Sequence, residues 1–327
     1  MERAPRMDTQ PRPTVAPVEV LDHGILCIDT LQERRRLACC YLIERDGEYA
    51  FVEAGTSHGV PRLLALLEAR GIAPERVRYV LPTHVHLDHA GGAGVLMRAL
   101  PEAMMVVHPR GARHMIDPSK LIAGAEAVYG AEALMRMYGE IAPVDETRVI
   151  QARDGLRLSL GGGELEFIDT PGHARHHYSI WDTVSEGFFT GDTFGLSYRD
   201  FDGPGGPFLM PTTTPVQFDA QAWLQTIDRY LSYRPKRMYL THYSAIEDVA
   251  TRAAELRAGI GRYVQIARSL ADAPERHSRL REALLDDALS ALHRLDAPVS
   301  DARARELLEF DIELNAQGLG VWLDQAA

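Results

Sequence analysis

The chain has 327 residues, 46% of them hydrophobic and 25% charged, the balance of an ordinary globular protein long enough to bury a sizeable core. Its formal net charge of −11 argues against a nucleic-acid partner, since phosphate binding needs Lys and Arg to displace counterions, although it leaves room for a local basic patch. No run of about 18 apolar residues occurs, so no membrane span is expected, and three cysteines without metal-ligand spacing argue against a disulfide framework and fit a reducing cytoplasm.

In chain order, residues 1–17 are rich in Pro and Arg and lack an apolar core, so they read as a flexible tail rather than a secretory signal. Strands are expected over 18–30, 36–45 and 48–53, with Asp46-Gly47 as a hairpin turn between the last two. Cys39 and Cys40 lie in the second strand, where adjacent side chains face opposite sides and fill core. Val60, Leu63, Leu64 and Leu67 recur at helical spacing, and Gly71 can end that helix. Residues 76–81 form a buried strand running directly into Thr83-His84-Val85-His86-Leu87-Asp88-His89. A helix, a strand over 104–108 and helical chain over 109–139 come next.

Short strands bounded by Gly, Asp or Pro resume near Val149 and are expected at 155–160, 164–169, 178–182 and 187–190. Residues 201–215 hold four prolines and three glycines, an irregular loop of the length that is more often functional than idle. A helix over 219–233 and a strand over 237–241 follow. Beyond Ala245 only helical spacing remains, carried by Val249, Ala253, Leu256 and Ile260, then Leu280, Leu284, Ala288 and Leu292, then Ala304, Leu307, Phe310 and Leu314. Such apolar stripes must pack against the preceding domain or against a second subunit.

The chemistry gathers in a few short motifs. In an extended segment His84 and His86 point to one side, so two imidazoles can meet one ion. Asp88 and His89 lie where the chain turns and can face a second ion, and Gly91-Gly92 lets the backbone pass close by. Thr170-Pro171-Gly172-His173, Thr190-Gly191-Asp192 and Leu240-Thr241-His242 each end an apolar strand with a metal-ligand residue. Imidazole and carboxylate suit zinc first, with iron and manganese as alternatives. His176 and His177 sit near the His173 turn and are candidates for supporting or substrate contacts, whereas His108 and His114 read as structural.

HxHxDH, TPGH, GD and a late THY in this order resemble the motif succession of the metallo-β-lactamase superfamily over roughly residues 18–245. The resemblance implies a four-layer αββα sandwich of the α+β class, with His84, His86 and His173 on one metal and Asp88, His89 and His242 on the other. Asp192 would bridge the two. The run Val107-His108-Pro109-Arg110-Gly111-Ala112-Arg113-His114, then Asp117-Pro118, together with the ending Leu240-Thr241-His242-Tyr243-Ser244, is similar to a glyoxalase II-like branch of general hydrolases. Glu53-Ala54-Gly55 departs from the Asp-x-Gly of many members; Glu is one methylene longer, so the hydrogen bond that Asp makes behind the ligands is not carried over.

Two metals can share one hydroxide and polarise a carbonyl or phosphoryl oxygen, so the expected function is hydrolysis of a thioester, lactone or related acyl bond in a small-molecule substrate. Two zinc ions are the expected cofactors, and Asp88 and Asp192 the expected catalytic carboxylates, Asp88 also orienting the hydroxide. A mononuclear iron persulfide dioxygenase, a phosphodiesterase and a non-catalytic metal-binding scaffold are the alternatives. The expected organisation is a tail over 1–17, a catalytic domain over 18–245 and a helical region over 246–327 that borders the substrate cleft.

Overall fold

The computed structural model describes residues 15–213 and 216–326. Among these residues two sheets form, and in each the strands lie side by side in chain order. The first sheet comprises β1 (Val18–Leu21), β2 (Ile25–Asp29), β3 (Cys39–Arg45), β4 (Glu48–Val52), β5 (Val77–Leu81), β6 (Met104–Val107) and β7 (Val149–Gln151). The second comprises β8 (Leu156–Leu160), β9 (Gly163–Asp169), β10 (Tyr178–Asp182), β11 (Gly187–Gly191), β12 (Arg237–Leu240) and β13 (Ser244–Ile246). From β4 to β7 the pairings are parallel, which forces helical crossovers between strands. These are α1 (Val60–Ala69), α2 (Leu87–Ala90), α3 (Ala93–Ala99), α4 (Pro109–Ile116), α5 (Ser119–Tyr129) and α6 (Ala131–Tyr138). The parallel β11–β12 pair is likewise joined through α7 (Ala220–Ser232), and α8 (Val249–Ser269), α9 (Arg276–Arg294) and α10 (Asp301–Ala326) follow β13.

Strand alternation builds the layers. Ile25, Cys27, Cys39, Tyr41 and Ile43 face Phe167, Tyr178, Ile180, Phe189 and Tyr239 across a dry core between the sheets. Leu26, Ile28, Cys40 and Leu42 point the other way, into a cluster with Val60, Leu63 and Leu67 of α1 and Leu96 of α3. On the far side Ile168, Phe188, Met238 and Leu240 of the second sheet share one cluster with residues of α7, α8, α9 and α10. The order is therefore helices, sheet, sheet, helices: the expected αββα sandwich. The three cysteines are free and buried, with Cys39 and Cys40 on opposite faces of β3 as alternation requires.

Two expectations need correction. Residues 18–30 are not one strand but a hairpin, because His23 (φ 59°) and Gly24 (φ 61°) take the left-handed conformation that a tight turn demands. In α10 the buried face is Ala304, Leu308, Ile312, Ala316 and Leu319, while Phe310 is 48% exposed; a helix that long brings the apolar residue at 310 round to the opposite side. Residues 1–14 of the expected tail lie outside the described residues, and at its end Ala16 is buried and the Pro17 carbonyl accepts from Asp29 N–H at 2.9 Å. No helix among the described residues is long and apolar enough to cross a membrane.

Candidate metal centre

All the motifs converge at one edge of the sandwich, because parallel strands deliver their C-terminal ends to the same side. β5 leads into His84 and His86, and α2, a single turn, carries Asp88 and His89. β9, β11 and β12 end just before His173, Asp192 and His242. Close approach is enforced by glycine. A methyl group on Gly92 would lie 2.8 Å from the Ala54 and Thr56 carbonyls, and one on Gly191 would lie 2.3 Å from Thr83 Oγ1.

Three overlapping groups have ligand atoms within 4.8 Å of one another: His84, His86 and His173; His84, His89 and Asp192; Asp88, His89 and His242. Together they contain all seven residues singled out in the sequence. His86 Nδ1 lies 2.8 Å from His84 Nε2 and 3.1 Å from His173 Nε2. Asp192 reaches both sides, with Oδ2 3.4 Å from His173 Nε2 and Oδ1 3.2 Å from His89 Nε2. Asp88 Oδ2 lies 3.4 Å from His89 Nε2 and 3.3 Å from His242 Nε2.

Groups behind the site set the tautomers, leaving the inward nitrogens as lone-pair donors. His89 Nδ1 donates to Glu53 Oε1 at 3.0 Å, and His242 Nδ1 donates to the Leu37 carbonyl at 2.8 Å. The Thr212 carbonyl and hydroxyl lie 3.0 and 2.9 Å from His173 Nδ1. His84 Nδ1 donates to Thr83 Oγ1, 3.1 Å away, which in turn donates to Glu53 Oε1 at 2.6 Å. Glu53 also accepts from Thr83 N–H at 3.0 Å and from Thr241 Oγ1 at 2.9 Å.

Glu53 therefore makes the supporting hydrogen bonds that its extra methylene led us not to expect. Its backbone takes a left-handed conformation, φ 64°, which costs a non-glycine residue on the order of 1 kcal/mol or more. His177 was a candidate, and it is fully buried: Nε2 accepts from Asp192 N–H at 3.3 Å, so Nδ1 carries the proton that goes to Thr170 Oγ1 at 2.9 Å. His108 pairs with Asp169 at 3.0 Å and accepts from Arg110 N–H, holding the start of α4. The threonines were missed, as was Asn315, whose Oδ1 accepts from Thr213 N–H at 2.6 Å next to Thr212. A usable signal existed for two of them, because Thr83 and Thr241 directly precede His84 and His242, and in an extended chain the residue before a ligand points behind it.

The electrostatics divide the site. Burial, followed by neighbouring imidazoles, holds His84 and His86 well below the ordinary histidine value, so they stand ready as neutral ligands. Burial likewise opposes charge on His242, but Asp192 and Asp88 outweigh it and raise the group to about 9. His89 moves up for the same reason, led by Asp192. Burial alone would raise Asp88 and Asp192, yet the charge of His89 leads the effects that pull both well below the carboxylate range. The buried carboxylate of Asp192 and the part-buried one of Asp88 thus draw protons onto the adjacent imidazoles, the response of a site built for positive charge.

Comparison with known proteins matches residues 35–242 to the family model described as the metallo-beta-lactamase superfamily. A metallo-beta-lactamase fold-containing protein of Sulfurisphaera tokodaii is 27% identical over 63% of this chain and 72% of its own length. An atrochrysone carboxyl ACP thioesterase of Aspergillus fumigatus is 25% identical over 66% of this chain and 53% of its own length. A hydroxyacylglutathione hydrolase of Rhodospirillum rubrum is 28% identical over 40% of each chain. Among solved structures, a metallo-beta-lactamase family protein from Thermus thermophilus superposes with a TM-score of 0.64 at 20% identity, covering 93% of this chain and 94% of that one, a likeness of fold.

Proposed function

The chain belongs to the metallo-beta-lactamase superfamily, and on that premise we propose that it is a dinuclear metal-dependent hydrolase that cleaves a thioester, lactone or related acyl bond in a small molecule. The observation that carries this reading is Asp192, whose two oxygens face separate nitrogen sets at 3.4 and 3.2 Å. The donor set fits divalent metals: among the described residues His89 Nε2 and Asp192 Oδ1, 3.2 Å apart, are buried without a well-formed hydrogen bond, and three ring nitrogens of His84, His86 and His173 turn toward one another within about 3 Å. Unpaired buried polar atoms are costly, and a shared cation accounts for both features.

In this reading His84, His86 and His173 would hold one ion and Asp88, His89 and His242 the second, with Asp192 shared between the two sets. Zinc is the expected metal, with iron and manganese as alternatives. A metal pair supplies Lewis acidity, making water nucleophilic near neutral pH and polarising the substrate oxygen. Asp88 has a side chain 27% exposed, against 7% for Asp192 and none for His89, so its carboxylate faces the cleft and can orient the attacking water. Glu53, Thr83 and Thr212 hold the imidazoles in orientation. The two relatives named for thioesterase and hydroxyacylglutathione hydrolase activity support an acyl substrate. The three buried free thiols support a cytoplasmic location.

Elemental analysis of protein purified without chelator, followed by turnover assays on esters, thioesters, lactones and phosphodiesters, tests the proposal. Two ions per chain with turnover of acyl compounds is the expected result. One ion in fully loaded protein would rule out the dinuclear assignment, and activity confined to phosphodiesters would rule out the acyl one.

A further inference from the structure

The net charge of −11 conceals a concentrated basic surface beside the metal centre. A pocket of about 510 Å³ is lined by Arg110, Arg113 and His114 of α4, by Arg175 and His176 of the turn after His173, and by Gln217, a volume within the range of small-molecule sites. Among the described residues none of the three arginines lies within 4.0 Å of a carboxylate, unlike the buried Arg45 with Asp182 and Arg252 with Glu255. Among the described residues the Arg110 guanidinium donates to the Arg175 carbonyl at 3.3 Å, and Arg113 Nε reaches His114 Nε2 at 3.4 Å. Burial, then the charges of Arg113 and Lys120, hold His114 below the ordinary histidine value.

The pocket is built onto the catalytic edge rather than merely near it. His176 lines it, and the same ring lies 5.5 Å from that of His86 and stacks at 6.1 Å on His84, centroid to centroid. Among the described residues His176 Nδ1 is buried with no hydrogen-bond partner. Gly111 lets α4 close down on this wall: a methyl group there would lie 2.7 Å from Val85 Cγ1, inside the HxHxDH motif, and 3.8 Å from His176 Cβ. The arginine side chains are thus carried by elements that the metal motifs themselves position.

We propose that this pocket is an anion subsite, taking a carboxylate or phosphate that the substrate carries away from the bond to be cleaved. The inference rests on the hydrolase reading and deepens it, narrowing the substrate to an anionic acyl compound. Unpaired guanidiniums in a fork geometry match either oxyanion by paired N–H donation. An acidic protein that leaves three of them together beside its active site selects an anion at that place while repelling polyanions elsewhere.

The test uses two ester substrates identical except for a terminal carboxylate or carboxamide, with the wild type and the Arg110→Gln/Arg113→Gln double variant. Both arginines are exposed, so the fold tolerates the change. The wild type should prefer the carboxylate by tenfold or more in kcat/KM, chiefly through KM and less at high salt. The double variant should lose the preference but keep its rate on the carboxamide. Absence of preference in the wild type, or its persistence in the double variant, would overturn the proposal. A second arm titrates glutarate and inorganic phosphate while following NMR signals of Arg175, His176 and Gln217. Saturable shifts that vanish in the double variant support the subsite, and the tighter probe tells carboxylate from phosphate; no shifts, or equal shifts in both proteins, reject it. Because binding is read without turnover, anion binding with no hydrolysis would sink the hydrolase reading and leave the subsite standing.

Discussion

Glu53 Oε1 lies 3.0 Å from His89 Nδ1, with both side chains fully buried. The same oxygen accepts from Thr83 and Thr241, so one carboxylate ties together the ends of β4, β5 and β12 beneath the site. Glu53→Gln should preserve the volume but weaken the orientation of His89, lowering metal affinity by about 10–100-fold, the usual cost of losing such support. Glu53→Ala should also strand buried donors at about 1–3 kcal/mol each. Competition with a chromogenic chelator reads the first effect, and denaturant titration reads the second.

Asp192 is expected to be the only side chain touching both ions. Asp192→Ala and Asp192→Asn should each lower kcat and metal content together, since a neutral amide bridges two cations poorly. A variant keeping more than about a tenth of wild-type kcat would have lost under about 1.4 kcal/mol in barrier terms, too little for a bridging ligand.

Stoichiometry separates the two ligand sets. His89→Ala removes a ligand from the second set and leaves His84, His86 and His173 in place, so metal content should fall from two ions to one. Native mass spectrometry of wild type and variant counts them directly.

The metal-free protein should have a distinctive pH dependence. His242 is raised to about 9 by Asp192 and Asp88, above the histidine value of about 6.5 in an unfolded chain. Its contribution to stability is therefore full below pH 6.5 and is lost as pH rises toward 9. Thermal unfolding of chelator-treated protein should show Tm declining across that window. Metal affinity should climb over the same range, because binding must displace the proton.

The C-terminal helices act on the site through Asn315. This buried residue of α10 accepts from Thr213 N–H at 2.6 Å and donates to the Pro211 carbonyl at 3.2 Å. It fixes the segment whose Thr212 clamps His173. Asn315→Ala should cost about 1–3 kcal/mol for the unpaired groups left behind and speed metal loss to a chelator. Unchanged metal retention in a destabilised variant would confine Asn315 to a structural role.

Much of this protein is readable from local pattern. The seven residues His84, His86, Asp88, His89, His173, Asp192 and His242 stand in short motifs at strand ends, and strand alternation separated Cys39 from Cys40 correctly, because both signals depend on neighbours one to four residues apart. What needed the tertiary structure lies across long chain distances. Glu53 reaches Thr241 from 188 positions away, and Asn315 reaches Thr213 from 102. Arg110 and Arg175 meet only because α4 closes over the turn after His173. A one-dimensional pattern records which side chain is placed where along a strand or helix, but hydrogen bonds and charge fields act through space. Which polar groups stand behind each ligand, and where three arginines gather in an acidic chain, were decided by how the two sheets and their helices came together.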